Sequence, residues 1–84
     1  MSKKLFVAGL SFNISDAEFE QHFAQVGTVV SARIIVNHDT GKSKGFGFVE
    51  MSTEAEAQAA IDQLNNSDFA GRTIVVKEAR PQNA

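Results

Sequence analysis

Lys44-Gly45-Phe46-Gly47-Phe48-Val49-Glu50-Met51 is the stretch that decides the fold. Two phenylalanines stand two residues apart, each behind a glycine, with a lysine in front. Successive side chains of a β-strand point to opposite faces, so residues two apart share one. As a strand, the octapeptide places Lys44, Phe46, Phe48 and Glu50 on one face and Val49 and Met51 on the other. The second face reads as core. The first carries two large rings, and nothing in the local pattern covers them.

The neighbouring segments supply the rest of a sheet and its cover. Residues 4–10 read as a strand with Leu5 and Val7 inward and Lys4, Phe6 and Ala8 outward. Ser15 followed by Glu18 is a capping box that opens a helix over 16–26, on which Phe19, Phe23 and Val26 fall at helical spacing. Gly27 suits a left-handed residue that ends this helix. Val29 to Val36, rich in β-branched residues, reads as a second strand, with Arg33 and Ile35 outward if Ala32 and Ile34 face in. A bulge in that strand would alter this parity. The polar run Asn37 to Ser43 reads as a hairpin loop, which makes the octapeptide an antiparallel third strand. Thr53 and Glu56 form a second capping box, ahead of an apolar stripe of Ala57, Ala60, Ile61 and Leu64 on a helix over 54–65. Asn66 to Gly71 reads as a loop, and Arg72 to Ala79 as a fourth strand with Ile74 and Val76 inward. Arg80 to Ala84 is a polar tail.

The order strand, helix, strand, strand, helix, strand is a pair of split units. It predicts an α+β, ferredoxin-like βαββαβ sandwich: a four-stranded antiparallel sheet with two helices on one face. The expected domain is the whole chain, 1–84, with an ordered core over about 4–79. Phe6, Phe46 and Phe48 then lie on the face the helices leave open. Phe12, Phe19, Phe23 and Phe69 are expected in the core or at its edge.

The bulk numbers agree with one small soluble domain. The chain has 84 residues, 43% of them hydrophobic and 21% charged, and no cysteine. Without cysteine there is no disulfide framework, thiolate metal site or thiol nucleophile. The apolar run Leu5 to Leu10 is too short for a signal-peptide core or a membrane span. The net charge of −2 at first argues against a polyanionic partner, yet its distribution does not. The two predicted helices hold Asp16, Glu18, Glu20, Glu54, Glu56 and Asp62 and no Lys or Arg. That leaves all eight basic residues against the other four acids elsewhere, a local balance of +4. Binding follows the face rather than the total. Exposed rings beside cations make a platform that stacks bases and holds phosphates.

At this point the residues resemble the RNA recognition motif family over essentially the whole chain. Lys44 to Met51 is similar to the family's longer ribonucleoprotein signature, which runs basic, Gly, aromatic, Gly, Phe, Val, any residue, aromatic. Leu5-Phe6-Val7-Ala8-Gly9-Leu10 resembles its shorter hexapeptide, and Gly71 to Val76 its last strand. The resemblance implies that the strands carrying the two signatures sit side by side at the sheet centre. It also implies that Phe6 and Phe48 each stack a base, that Phe46 packs against the riboses between them, and that Lys44 meets a phosphate. Three residues depart from the pattern: Gly9 stands where Asn is frequent, Met51 where an aromatic is usual, and Ala8 is small. A single copy with little flanking sequence looks like the small stand-alone bacterial members, which implies a cytoplasmic, bacterial setting.

The expected RNA-binding residues are Phe6, Phe46, Phe48, Lys44, Lys4, Arg33, Lys77 and Arg80. The expected partner is single-stranded RNA, or single-stranded DNA on the same face, bound by a monomer with no cofactor and no membrane. Lys42 reads as a loose phosphate contact, Arg72 as structural or solvated, and Glu50 as a solvated acid near the strand end. His22 and His38 lack a second ligand at metal spacing and read as surface residues, so no metal site is expected. Gly45-Phe46-Gly47 lies inside a hairpin strand with no helix opening after it, which excludes a dinucleotide fingerprint. Small phosphatases of the acylphosphatase type share the strand order but place an arginine after the first strand. Gly9-Leu10-Ser11-Phe12-Asn13 has none, and no nucleophile, base and orienter set appears, so no catalytic residues are expected. A third reading is a protein-interaction module that docks a basic partner on the acidic helices.

Overall fold

A computed structural model describes residues 3–36, 39–41 and 43–79, with side chains for all of these except Ser43 and Lys44. The elements are β1 (Lys4–Ala8), α1 (Asp16–Ala24), β2 (Val29–Val36), β3 (Ser43–Met51), α2 (Glu54–Leu64), β4 (Asp68–Phe69), β5 (Arg72–Thr73) and β6 (Val75–Glu78). Four strands form an antiparallel sheet in the order β2-β3-β1-β6. β1 and β3 are therefore central, as the two signatures imply.

One face of this sheet is the core. Leu5 and Val7 of β1, Val49 and Met51 of β3, Ile74 just ahead of β6 and Val76 within it are buried with Phe19 and Phe23 of α1 and Ala57, Ala60 and Leu64 of α2. Gly47 of β3 explains how α1 comes so close. A Cβ there would lie 3.0 Å from the Phe19 ring and 2.6 Å from the Arg33 carbonyl oxygen, so any side chain would force helix and strand apart.

The helices start where the capping signals place them. Ser15 Oγ accepts from the Glu18 N–H at 3.2 Å, and Glu18 Oε1 accepts from the Ser15 N–H at 3.0 Å. Asp16 Oδ1 also accepts from the Ile34 N–H at 3.0 Å, which fastens the helix start to β2. At α2, Thr53 Oγ1 accepts from the Glu56 N–H at 3.1 Å. The Glu56 carboxylate reaches beyond its own cap: Oε2 accepts from the Thr28 N–H at 3.0 Å, and Oε1 accepts from the Ser52 hydroxyl. These bonds, the Ser52 hydroxyl first and the Thr28 N–H next, hold the Glu56 carboxyl below its ordinary pKa.

Four expectations need correction. The first helix ends at Ala24, and Gly27 does not take the left-handed conformation. It is small because a Cβ there would lie 2.7 Å from the Glu56 side chain. The expected strand over 72–79 is broken. Arg72–Thr73 pairs instead with Asp68–Phe69, inside the expected loop, and only Val75–Glu78 joins the sheet. Ala70 (φ 54°) and Gly71 (φ 82°) turn this hairpin, the double positive φ that matches the twist of a two-residue connection. Phe12 is 60% exposed rather than core. Leu10 is in the core and Ile14 packs against it, whereas Phe12 between them lies outside, with the Arg72 guanidinium 5.7 Å from its ring centroid. His22 is half-buried rather than a free surface residue. It stacks on Phe69 at 4.1 Å and 10°, and burial lowers its pKa.

Candidate nucleic-acid interface

The register of the central strands sets the open face. Phe6 of β1 lies opposite Phe48 of β3, and Ala8 lies opposite Phe46. On the other side of β1, Phe6 lies opposite Lys77 of β6. On the far side of β3, Phe48 lies opposite Arg33 of β2. One row, Arg33–Phe48–Phe6–Lys77, thus crosses all four strands as cation, ring, ring, cation.

The three rings form a cluster. The Phe6 centroid is 5.6 Å from both Phe46 and Phe48, at interplanar angles of 41° and 58°. Phe46 and Phe48 stand 6.5 Å apart at 89°. All three remain half-exposed, whereas Val49 and Met51 on the same strand are fully buried. Lys4 Nζ sits 5.8 Å from the Phe48 centroid, a cation over a ring face. The rings are thus held in place by one another and by the strands beneath, and they present π surface with positive charge at three sides.

Lys4, Phe6, Arg33, Phe46, Phe48 and Lys77 are brought together as expected, with Arg33 and Lys77 exposed. The Lys44 side chain, Arg80, Lys42 and His38 lie outside the described residues. Ser31 joins the face beside Glu50, a neighbour the sequence reading missed. Its signal was parity with Arg33, since Ser31, Ala32 and Arg33 pair with Glu50, Val49 and Phe48 in unbroken register. Glu50 is half-buried between Ser31 and Lys4 rather than a fully solvated acid. Among the described residues no cluster of His, Cys, Asp or Glu is arranged to hold a metal ion, and no helix is long and apolar enough to cross a membrane.

With this geometry in hand, the chain belongs to the RNA recognition motif family, whose sequence profile matches residues 5–75. It is 46% identical over 79 residues to the mitochondrial glycine-rich RNA-binding protein 2 of Arabidopsis thaliana, covering 94% of this chain and 50% of that protein. It is 47% identical over 76 residues to the 29 kDa chloroplastic ribonucleoprotein of the same plant, covering 90% of this chain and 22% of that protein. The chain therefore spans half or less of these relatives' length. Their mitochondrial and chloroplastic names lend no support to the expected bacterial cytoplasmic setting. Among solved structures, the crystal structure of RNA-binding protein PG1 matches with a TM-score of 0.88 at 41% identity, covering 96% of this chain and all of that one. The SXL-lethal protein in complex with RNA matches with a TM-score of 0.91 at 30% identity, covering 99% of this chain and 50% of that one.

Proposed function

We propose that this chain is a non-catalytic binding module for single-stranded RNA, acting through the open sheet face as a monomer. The observation that carries the reading is the row Arg33–Phe48–Phe6–Lys77, rings at the centre and cations at both ends. Phe6 and Phe48 each stack one base, and Phe46 packs against the sugars between them. Lys77 meets a phosphate at the rim, Arg33 and Lys4 a phosphate or a base edge, with Lys44 and Arg80 as further contacts. Lys4 now stands over Phe48, so an arriving base takes that place and displaces the ammonium to the edge.

Stacking contributes about 1–3 kcal/mol per base. Two stacked bases with two or three phosphate contacts correspond to micromolar-range affinity for roughly two to four nucleotides. A duplex hides its base faces and binds far more weakly. Stacking does not sense the 2′-hydroxyl, so single-stranded DNA is a second ligand of the same face. The names of the relatives, RNA-binding proteins and ribonucleoproteins, favour RNA.

The test is a fluorescence-anisotropy titration of wild type and Phe48→Ala with short random single-stranded RNA, matched DNA and duplex RNA. Wild type is expected to bind the single strands. Phe48→Ala, folded by circular dichroism, is expected to lose about five-fold or more in affinity. A folded Phe48→Ala that binds as tightly as wild type defeats the stacking platform.

A further inference from the structure

Beside Phe48, on the β2 side, the sheet face opens into a depression of about 320 Å³ lined by Lys4, Ser31, Ala32, Arg33, Phe48 and Glu50. That is the small end of the range for ligand pockets, the scale of a single small group rather than a long segment. Two neighbouring rows build it. One holds Phe48 with Arg33 beside it, and the next holds Glu50 between Ser31 of β2 and Lys4 of β1.

Stacking on Phe48 is indifferent to base identity, because every base has a π face. A carboxylate is not indifferent. Ionised, it only accepts hydrogen bonds, and its two oxygens suit two adjacent donors. On the Watson–Crick edges of the four bases, guanine alone offers such a pair, N1–H and the N2 amine. Adenine and cytosine each set one amine beside an acceptor ring nitrogen, which a carboxylate repels. Uracil offers one N–H between two carbonyls. Guanine also carries O6 next to N1, an acceptor that arginine and lysine recognise well. The depression supplies both halves of that pattern, a carboxylate at Glu50 and cations at Lys4 and Arg33.

We propose that this depression is a guanine-recognition pocket. The base stacks on Phe48, Glu50 accepts from N1–H and the N2 amine, and a rim cation from Arg33 or Lys4 donates to O6. This gives the acid a use on a face otherwise suited to phosphate. The inference rests on the single-stranded RNA reading of the same face.

The test uses uridine tetramers carrying guanine, inosine or adenine at one shared position, titrated against wild type and Glu50→Gln, with an all-uridine strand beside them. Wild type is expected to prefer guanine over adenine by about tenfold. It is also expected to prefer guanine over inosine, which lacks the N2 amine, by about threefold or more. Glu50→Gln is expected to lose both preferences while binding the all-uridine strand within about twofold of wild type. Equal wild-type affinity for the three marked strands overturns the guanine pocket and leaves the RNA reading standing. A guanine preference that survives in Glu50→Gln overturns the role of the carboxylate. Folded wild type that binds no single strand overturns both. The inosine comparison needs no variant and tests the guanine pocket even if Glu50→Gln does not fold.

Discussion

Two sets of phenylalanines sit on opposite sides of one sheet. Phe19 and Phe23 are fully buried on the helix side, their rings edge to face at 5.4 Å and 81°. Phe6, Phe46 and Phe48 form a similar close cluster on the other side and stay half-exposed. The residue type is the same, and so is the tendency of rings to pack against one another. The difference is what the chain lays over each set. The helix side becomes a core, and the open side keeps surface that is costly to leave in water and is therefore available to a ligand. β3 contributes to both in alternation, so one strand carries stability on Val49 and Met51 and binding surface on Phe46 and Phe48.

The largest effect that tests this contrast is on the buried side. Phe19→Ala is expected to cost about 3–5 kcal/mol in urea denaturation, a large share of the stability of so small a domain. A loss below about 1 kcal/mol would show that the helix is not wedged against Gly47 as the structure has it. On the open side, Phe6→Ala is expected to change stability by less than about 1 kcal/mol and to weaken RNA binding by about 1–3 kcal/mol. A Phe6→Ala variant that unfolds, or that binds RNA as tightly as wild type, overturns the contrast between the two faces.

Smaller effects sharpen the role of charge. Arg33→Ala and Lys77→Ala, at the two ends of the ring row, are each expected to reduce the slope of log affinity against log salt by about 0.7, with the fold unchanged. An unaltered slope in an affinity titration across salt concentrations would remove that residue from the phosphate contacts. The smallest effect belongs to Glu56, on the helix side. Its pKa is lowered in the folded state, so its contribution to stability is fully present above the ordinary glutamate value and is lost as pH falls through the lower native one. Glu56→Gln is therefore expected to be less stable than wild type at neutral pH, and to show a shallower loss of stability below about pH 4 in denaturation series. Equal acid sensitivity in the two proteins would assign that sensitivity to other carboxylates.

Much of the molecule was legible in advance, for local reasons. The cap at Ser15, the stripe of Ala57, Ala60 and Leu64, and the alternation in β1 and β3 each depend on residues within a few positions of one another. The misreadings turn on an unusual backbone conformation or on neighbours that the local pattern does not name. The β4–β5 hairpin turns on an alanine at positive φ, which no short-range pattern announces. Gly27 answers to Glu56, and His22 to Phe69, across long intervals of sequence. Phe12 is as apolar as a core residue but lies outside the core, beside Arg72, which is remote in sequence.

Alternation along β1 and β3 determined from the sequence alone that Phe6, Phe46 and Phe48 share a parity opposite to Leu5, Val7, Val49 and Met51, because the period of a strand is a property of the backbone. Tertiary structure decided which other side chains join those rings. The pairing of β2, β3, β1 and β6 sets Arg33 and Lys77 at the ends of the ring row and Glu50 between Ser31 and Lys4. Cross-strand hydrogen bonds and the two register shifts between β2 and β3 settle that register. They join residues that are remote in sequence, so the make-up of the rows follows from the assembled sheet.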